Sequence, residues 1–184
     1  MRIIGGKYKG RKINPPVWLK ARPTTDFARE SLFNILNNRI DFESVYVLDL
    51  FAGTGSIAFE FASRGALNVH LIEKNIRYVS SIRRIIKEIG FPNMRAIHID
   101  VRSYLKACSF KYDVIFADPP YDLDWIKEIP ELVLKSGALK NDGIFILEHP
   151  GKVNFKGMEG FQEHRNYGSV NFTFFNPFEG SQDK

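Results

Sequence analysis

One cysteine, Cys108, stands in 184 residues, so no disulfide can close within the chain. It lies in a mixed stretch without a His or Cys partner, which suits a packed or idle thiol better than a nucleophile. Long apolar runs are missing too. None approaches the roughly 18–20 residues that cross a bilayer, and the first residues lack the apolar core of a secretion signal. A cytoplasmic protein without a membrane span is expected. The four histidines (His70, His98, His149 and His164) show no ligand spacing, so no metal site is expected. His70 and His98 fall within expected strands and read as packed. No internal repeat or low-complexity segment interrupts the chain.

Positive charge is present but unevenly placed. Residues 1–39 hold nine Lys/Arg against Asp26 and Glu30, a net of +7, while the remaining 17 basic and 19 acidic residues net −2. A block of this kind suits a polyanion, most simply nucleic-acid phosphate, although it also suits a solvated arm. Its first part carries Gly5, Gly6 and Gly10 among Arg2, Lys7, Lys9, Arg11 and Lys12. That pattern predicts a small basic hairpin with strands near Arg2–Ile4 and Arg11–Ile13. Asn14-Pro15-Pro16 ends it, and Thr24 or Thr25 caps a helix running to about Asn37. Its apolar stripe is Phe27, Ala28, Leu32, Phe33, Ile35 and Leu36.

Strand and helix then alternate. Strands are expected at Val45–Leu50, Val69–Glu73, Arg95–Asp100, Tyr112–Ala117 and Gly143–Glu148. Helices are expected at Ser56–Arg64, Asn75–Ile89, Val101–Ala107 and Asp124–Ser136, with Pro130 breaking the last or starting its second half. Ile76, Val79, Ile82, Ile85, Ile86 and Ile89 should face inward on the second of these helices. Phe161–Asn166 and Ser169–Phe175 read as a closing hairpin around Tyr167-Gly168, with Val170, Phe172 and Phe174 alternating at period two. One domain is expected: a hairpin extension over 1–21, a core over 22–178 and a frayed tail over 179–184. The βα units imply a mostly parallel α/β sheet covered on both faces. With the terminal antiparallel hairpin it resembles the seven-stranded, Rossmann-like class I AdoMet-dependent methyltransferase fold.

Two strand exits carry the chemistry. Asp49-Leu-Phe51-Ala52-Gly53-Thr54-Gly55 leaves the first strand and enters a helix, a setting in which glycines admit a ligand to the backbone. Gly53-Thr-Gly55-Ser-Ile-Ala58 also satisfies the dinucleotide fingerprint, and Glu73 suits a ribose in either case, so this loop alone leaves NAD and AdoMet open. Asp118-Pro119-Pro120-Tyr121 leaves the fourth strand. The prolines fix the backbone and remove two N–H donors, Asp118 adds an acceptor, and Tyr121 offers a flat face. Such a turn suits a planar group bearing NH2. A hydride-transfer enzyme has no evident use for it, and no residues remain for a substrate domain.

Taken in order, Arg2-Ile-Ile-Gly-Gly-Lys-Tyr-Lys-Gly-Arg-Lys-Ile13, Arg22-Pro-Thr-Thr-Asp26, Arg29-Glu-Ser-Leu-Phe-Asn34, the Asp49–Gly55 loop and Asp118–Tyr121 closely resemble the bacterial 16S rRNA (guanine-966-N2)-methyltransferase family over residues 1 to about 148. One departure is the turn's first residue, Asp118, where related amino-methyltransferases often carry Asn. The resemblance implies methyl transfer from S-adenosylmethionine (AdoMet) to a guanine amine in 16S rRNA or the assembling small ribosomal subunit; a monomer is expected, and the chemistry needs no metal. It implies Asp118, Pro119, Pro120 and Tyr121 around the target base. It implies Asp49 and Phe51–Gly55 at the methionine end of AdoMet. Glu73 and Lys74 would lie at the ribose, Asp100 and Val101 at the adenine, and Arg22, Pro23 and Thr24 closing over the cofactor, with Asp118 nearby. Arg2, Lys7, Lys9, Arg11 and Lys12 would grip RNA phosphates. The rival expectations are an amino-methyltransferase for another target (adenine N6 or a protein amide), a non-catalytic RNA-binding module, and a small NAD oxidoreductase.

Overall fold

The computed structural model describes residues 1–14 and 25–177. A seven-stranded sheet runs in the order β3-β2-β1-β4-β5-β7-β6. Its parallel part is β1 (Tyr46–Leu50), β2 (Asn68–Glu73), β3 (Met94–His98), β4 (Tyr112–Ala117) and β5 (Leu139–His149). The last two strands, β6 (Phe161–Tyr167) and β7 (Val170–Phe175), are antiparallel, with β7 seated between β5 and β6. The helices α1 (Asp26–Asn37), α2 (Ser56–Ser63), α3 (Ile76–Ile89), α4 (Val101–Ala107) and α5 (Ile129–Lys135) complete the layers. Two apolar clusters fill them. Leu32, Phe33, Phe59 and Val69 belong to one, and Leu48, Ile115, Val133 and Phe145 to the other. Adjacent β1 residues Val47 and Leu48 fall in different clusters, as a strand buried on both faces requires.

Local chemistry sets most boundaries. Thr25 caps α1 by accepting from the Ala28 N–H, and Asn75 caps α3 by accepting from the Arg77 N–H. Gly90 ends α3 at φ 84°, a conformation that costs glycine little. Pro130 occupies the first turn of α5, after a short 3₁₀ turn at Ile126–Glu128, so the single helix expected over Asp124–Ser136 is two pieces.

Several expectations change. β5 begins at Leu139, four residues earlier than expected, through a register irregularity opposite Tyr112 and Val114. Phe27 is 66% exposed and Ile76 50% exposed, so neither joins its helix's buried stripe. His98 is exposed, its Nε2–H donating to the Lys74 carbonyl, whereas His70 is half-buried against the Tyr112 hydroxyl at 2.7 Å. The closing turn is Gly168-Ser169. β7 alternates in polarity but not in exposure, because Asn171 and Thr173 are as buried as Phe172. The Thr173 hydroxyl meets His149 Nε2 at 2.8 Å, and Asn171 Oδ1 accepts from Asn166 at 2.9 Å. Those bonds let polar side chains take core positions.

The N-terminal hairpin is smaller than expected, with a single bridge between Arg2 and Lys12. It is nonetheless firmly docked. Lys7 N–H donates to the Ser63 carbonyl at 2.7 Å, Tyr8 N–H to Ser63 Oγ at 3.0 Å, and Ile4 N–H to the Glu60 carboxylate at 2.8 Å. The Tyr8 ring packs 4.5 Å from that of Phe91. Arg2, Lys7, Lys9, Arg11 and Lys12 stay exposed.

Candidate active site

The strand register lines up one row of residues at the carboxyl edge of the sheet. Leu50 is level with Ile72 and Ala117, and Ala117 with Leu147. The next residues along these parallel strands are therefore Glu73, Phe51, Asp118 and Glu148, side by side on β2, β1, β4 and β5. Ligands of open α/β sheets bind at this edge. A cleft of about 560 Å³ opens over the row.

The wall on the β1 side is the Phe51–Gly55 turn. Phe51 has φ 61°, the one non-glycine residue in the left-handed region among those described. Gly53 (φ 53°) faces open space, since a Cβ there would meet only the Phe51 carbonyl oxygen at 3.8 Å. Gly55 (φ 77°) is the opposite case: a Cβ would press the Phe59 ring at 3.0 Å and Leu71 at 3.2 Å. One glycine thus leaves its face of the turn open, and the other lets α2 pack on β2. Glu73 joins the turn to the next βα unit, accepting from Gly53 N–H at 3.0 Å and from Asn75 N–H at 2.7 Å.

The wall on the β4 side is Asp118–Tyr121. Asp118 N–H reaches the Leu50 carbonyl at 3.4 Å, so this turn and the glycine turn sit on neighbouring strands. The Pro120 carbonyl accepts from Leu123 N–H at 3.0 Å, which folds the turn back on itself. The Tyr121 hydroxyl donates to Glu148 Oε1 at 3.3 Å. At the far end, Asp100 does not finish β3. It lies two residues past it and caps α4, its Oδ1 accepting from Arg102 and Ser103 N–H at 2.9 and 3.3 Å.

A profile of the family described as "Conserved hypothetical protein 95" matches residues 1–176. A "Ribosomal RNA small subunit methyltransferase D" from Buchnera aphidicola is 32% identical over 154 residues, covering 84% of this chain and 78% of the relative. The chain belongs to the family of ribosomal RNA small subunit methyltransferase D. A solved Thermus thermophilus hypothetical protein matches with a TM-score of 0.84 at 30% identity, covering 96% of this chain and 99% of that one. The T. thermophilus 16S rRNA N2 G1207 methyltransferase, solved with AdoMet and guanosine, shares the fold at a TM-score of 0.68 and 22% identity, covering 86% of this chain and 45% of that one.

The family match reaches 28 residues beyond Glu148, where the sequence motifs stop, and includes the β6–β7 hairpin. Within this methyltransferase D family chain, the cleft brings together Phe51, Ala52, Gly53, Thr54, Glu73, Lys74, Asp100, Val101 and Asp118 through Tyr121. Gly55 and Asp49 are not on its wall. Arg22, Pro23 and Thr24 lie outside the described residues. Sequence reasoning missed Glu148, Tyr78, Trp125 and the Ser169-Val170 wall. Glu148 carries the same strand-end signal that singles out Glu73 and Asp118. The hairpin also reaches the site, because the Thr54 hydroxyl lies 3.8 Å from Met1 Sδ.

Asp49 stands behind the glycine turn, buried. Burial pushes its carboxyl from its ordinary 3.8 up to about 8; the Ala58 N–H counteracts this, and the nearby Glu73 charge adds to it. Between about pH 4 and 8 the folded chain thus keeps a proton that the unfolded chain has already lost, and folding stability from this group falls as pH rises through that window. Asp49→Asn is expected to flatten that fall. Calorimetric melting should show the variant gaining on the parent from pH 5 to 9, by several degrees at the upper end. Parallel melting curves across that range would remove the neutral-acid assignment.

Proposed function

We propose that the chain transfers a methyl group from AdoMet to the exocyclic N2 of a guanine in 16S rRNA, guanine-966 by family resemblance. The observation that carries this reading is the shared cleft: the glycine turn of β1 and the Asp-Pro-Pro-Tyr turn of β4 face one cavity from adjacent strands.

The side chains present suit AdoMet. The open side of Gly53 leaves room for a ligand against the backbone. Each Glu73 oxygen accepts one backbone N–H, and a carboxylate has about four lone-pair sites, so vicinal ribose hydroxyls find acceptors. Ile72, Val101 and Leu123 give apolar walls for a purine, and Asp100 an acceptor for its amino group. When bound, AdoMet supplies an electrophilic methyl group on a cationic sulfur.

The amine needs help, because the guanine N2 lone pair is delocalised into the ring. Asp118 and a turn carbonyl accept hydrogen bonds from its two N–H groups, turn the lone pair toward the methyl donor and stabilise charge developing on nitrogen. The second acceptor is a carbonyl of the Pro119-Pro120 turn; that of Pro120 already takes one hydrogen bond, from Leu123 N–H. Tyr121 stacks on the base and fixes its plane. The released proton passes to Asp118 or solvent. Alignment is the main contribution, and a paired guanine must first leave its stack. The reading asks for one chain acting as one domain, without a metal, on a cytoplasmic substrate.

Labelled-methyl transfer to unmodified 16S rRNA and to small subunits, with the modified nucleotide mapped, tests it. Label on guanine N2 is expected. Label on an adenine, on protein or nowhere would replace it with one of the rival activities.

The exposed basic hairpin takes RNA phosphate in this reading. Reversing charge at Lys7, Lys9, Arg11 and Lys12 should weaken rRNA binding and lower its salt slope by about 0.7–0.9 for each phosphate that is no longer neutralised. AdoMet affinity should stay the same. An unchanged slope would exclude the hairpin from the RNA interface.

A further inference from the structure

We infer that Glu148 reads the guanine, accepting the ring N1–H while the Asp118 turn holds the adjacent amine; this rests on the guanine reading above. An acid-Pro-Pro-Tyr turn grips an amino group and so fits any base that has one. Discrimination needs a second group placed against the neighbouring ring atom. Guanine offers a donor there, N1–H, whereas adenine offers an acceptor.

Glu148 has the required place and chemistry. It is level with Asp118 on the neighbouring parallel strand, following the Ala117–Leu147 register, and strands so paired lie roughly 4.8 Å apart. It lines the cleft yet is only 3% exposed. A carboxylate in such a site distinguishes donor from acceptor far more sharply than one in water. It is also rigid. β5 is paired on both sides, with Glu148 opposite Phe172 of β7, and the Tyr121 hydroxyl fixes Oε1. The ring that stacks on the base is thus tied to the group that reads its edge.

The test uses two 16S rRNAs that differ only at the target, one with guanine and one with 2-aminopurine, each offered free and assembled into small subunits. Both carry the reactive amine, but 2-aminopurine has an acceptor at N1. The intact protein should methylate the guanine RNA about a hundredfold or more faster. In Glu148→Gln the amide can donate to N1 of 2-aminopurine, and the ratio should collapse at least tenfold. Tyr121→Phe keeps the stacking ring and leaves Glu148 on its paired strand, so the ratio should fall far less than in Glu148→Gln. That separates reading by Glu148 from mere support of Tyr121. Equal rates on the two RNAs with the intact protein, or an unchanged ratio in a Glu148→Gln protein of normal AdoMet affinity, overturn the inference. Activity on neither RNA overturns the parent reading instead.

Discussion

Asp118→Ala should lower methyl transfer by about a hundred- to a thousandfold, the size of effect seen when one preorganised polar contact to developing charge is removed. The loss should appear in the single-turnover rate, with AdoMet affinity by calorimetry close to the parent's. The separation follows from the architecture. Asp118 is held in place by its backbone, through Leu50 and the strand pairing of Ala117, so deleting its carboxylate leaves the turn standing. The glycine turn, Glu73 and Asp100 hold other parts of the cleft and are untouched. Asp118→Asn should lose less than Asp118→Ala, since the amide oxygen still accepts. Full activity in Asp118→Ala would remove the proposed role of the turn.

Gly6→Ala should be the most damaging change outside the cleft. Gly6 has φ 71°, and a Cβ there would fall 1.9 Å from the Ser63 carbonyl oxygen and 2.6 Å from the Arg64 nitrogen. Both are backbone atoms of a packed helix end and cannot move aside. The hairpin must lift off α2, breaking the bonds to Ser63 and Glu60. Each buried polar group left without its partner costs about 1–3 kcal/mol, and about 2–4 °C of melting temperature follows each kcal/mol at this chain length. Transfer to rRNA should fall further than in the charge-reversal variant, because the hairpin's position beside Thr54 goes together with its charges. Gly10→Ala is the control. Gly10 also has positive φ, at 84°, but nothing lies within 4 Å of a Cβ there. It should show only the conformational penalty of about 1–2 kcal/mol. Equal melting and equal activity in the two variants would mean that the docking of the hairpin carries no weight.

The parts of this molecule that could be read from sequence are those governed by local rules. Alternating βα units, the glycine turn and the capping residue Thr25 follow from periodicity and single-residue conformational preference, and the first four strands of the structure lie within two residues of the expected bounds. What depends on tertiary neighbours was hidden. The fifth strand is expected only from Gly143, yet β5 runs back through Lys140-Asn-Asp because Tyr112 pairs with Leu139. Asn171 and Thr173 look like the wet side of a strand, yet β6 and the long β5 place partners for them. Phe27 looks like core but lies exposed, edge-on to Tyr167 at 6.1 Å. At the cleft, the acids at strand ends were legible one by one. Their common level was not, since register is decided by pairing and not by any strand alone.

The interleaved end of the sheet has a bearing on biosynthesis. β7 is made after β6 but sits inboard of it, so Phe161–Tyr167 emerges with no strand to pair against, and the far edge of β5 stays open until Val170–Phe175 follows. Ser169 and Val170 also form part of the cleft wall. A nascent or stalled polypeptide ending before residue 170 therefore exposes a bare strand edge next to the half-built pocket, a template for aggregation and a mark for quality control. Completion of the cleft wall and protection of the β5 edge therefore wait on the same strand, β7.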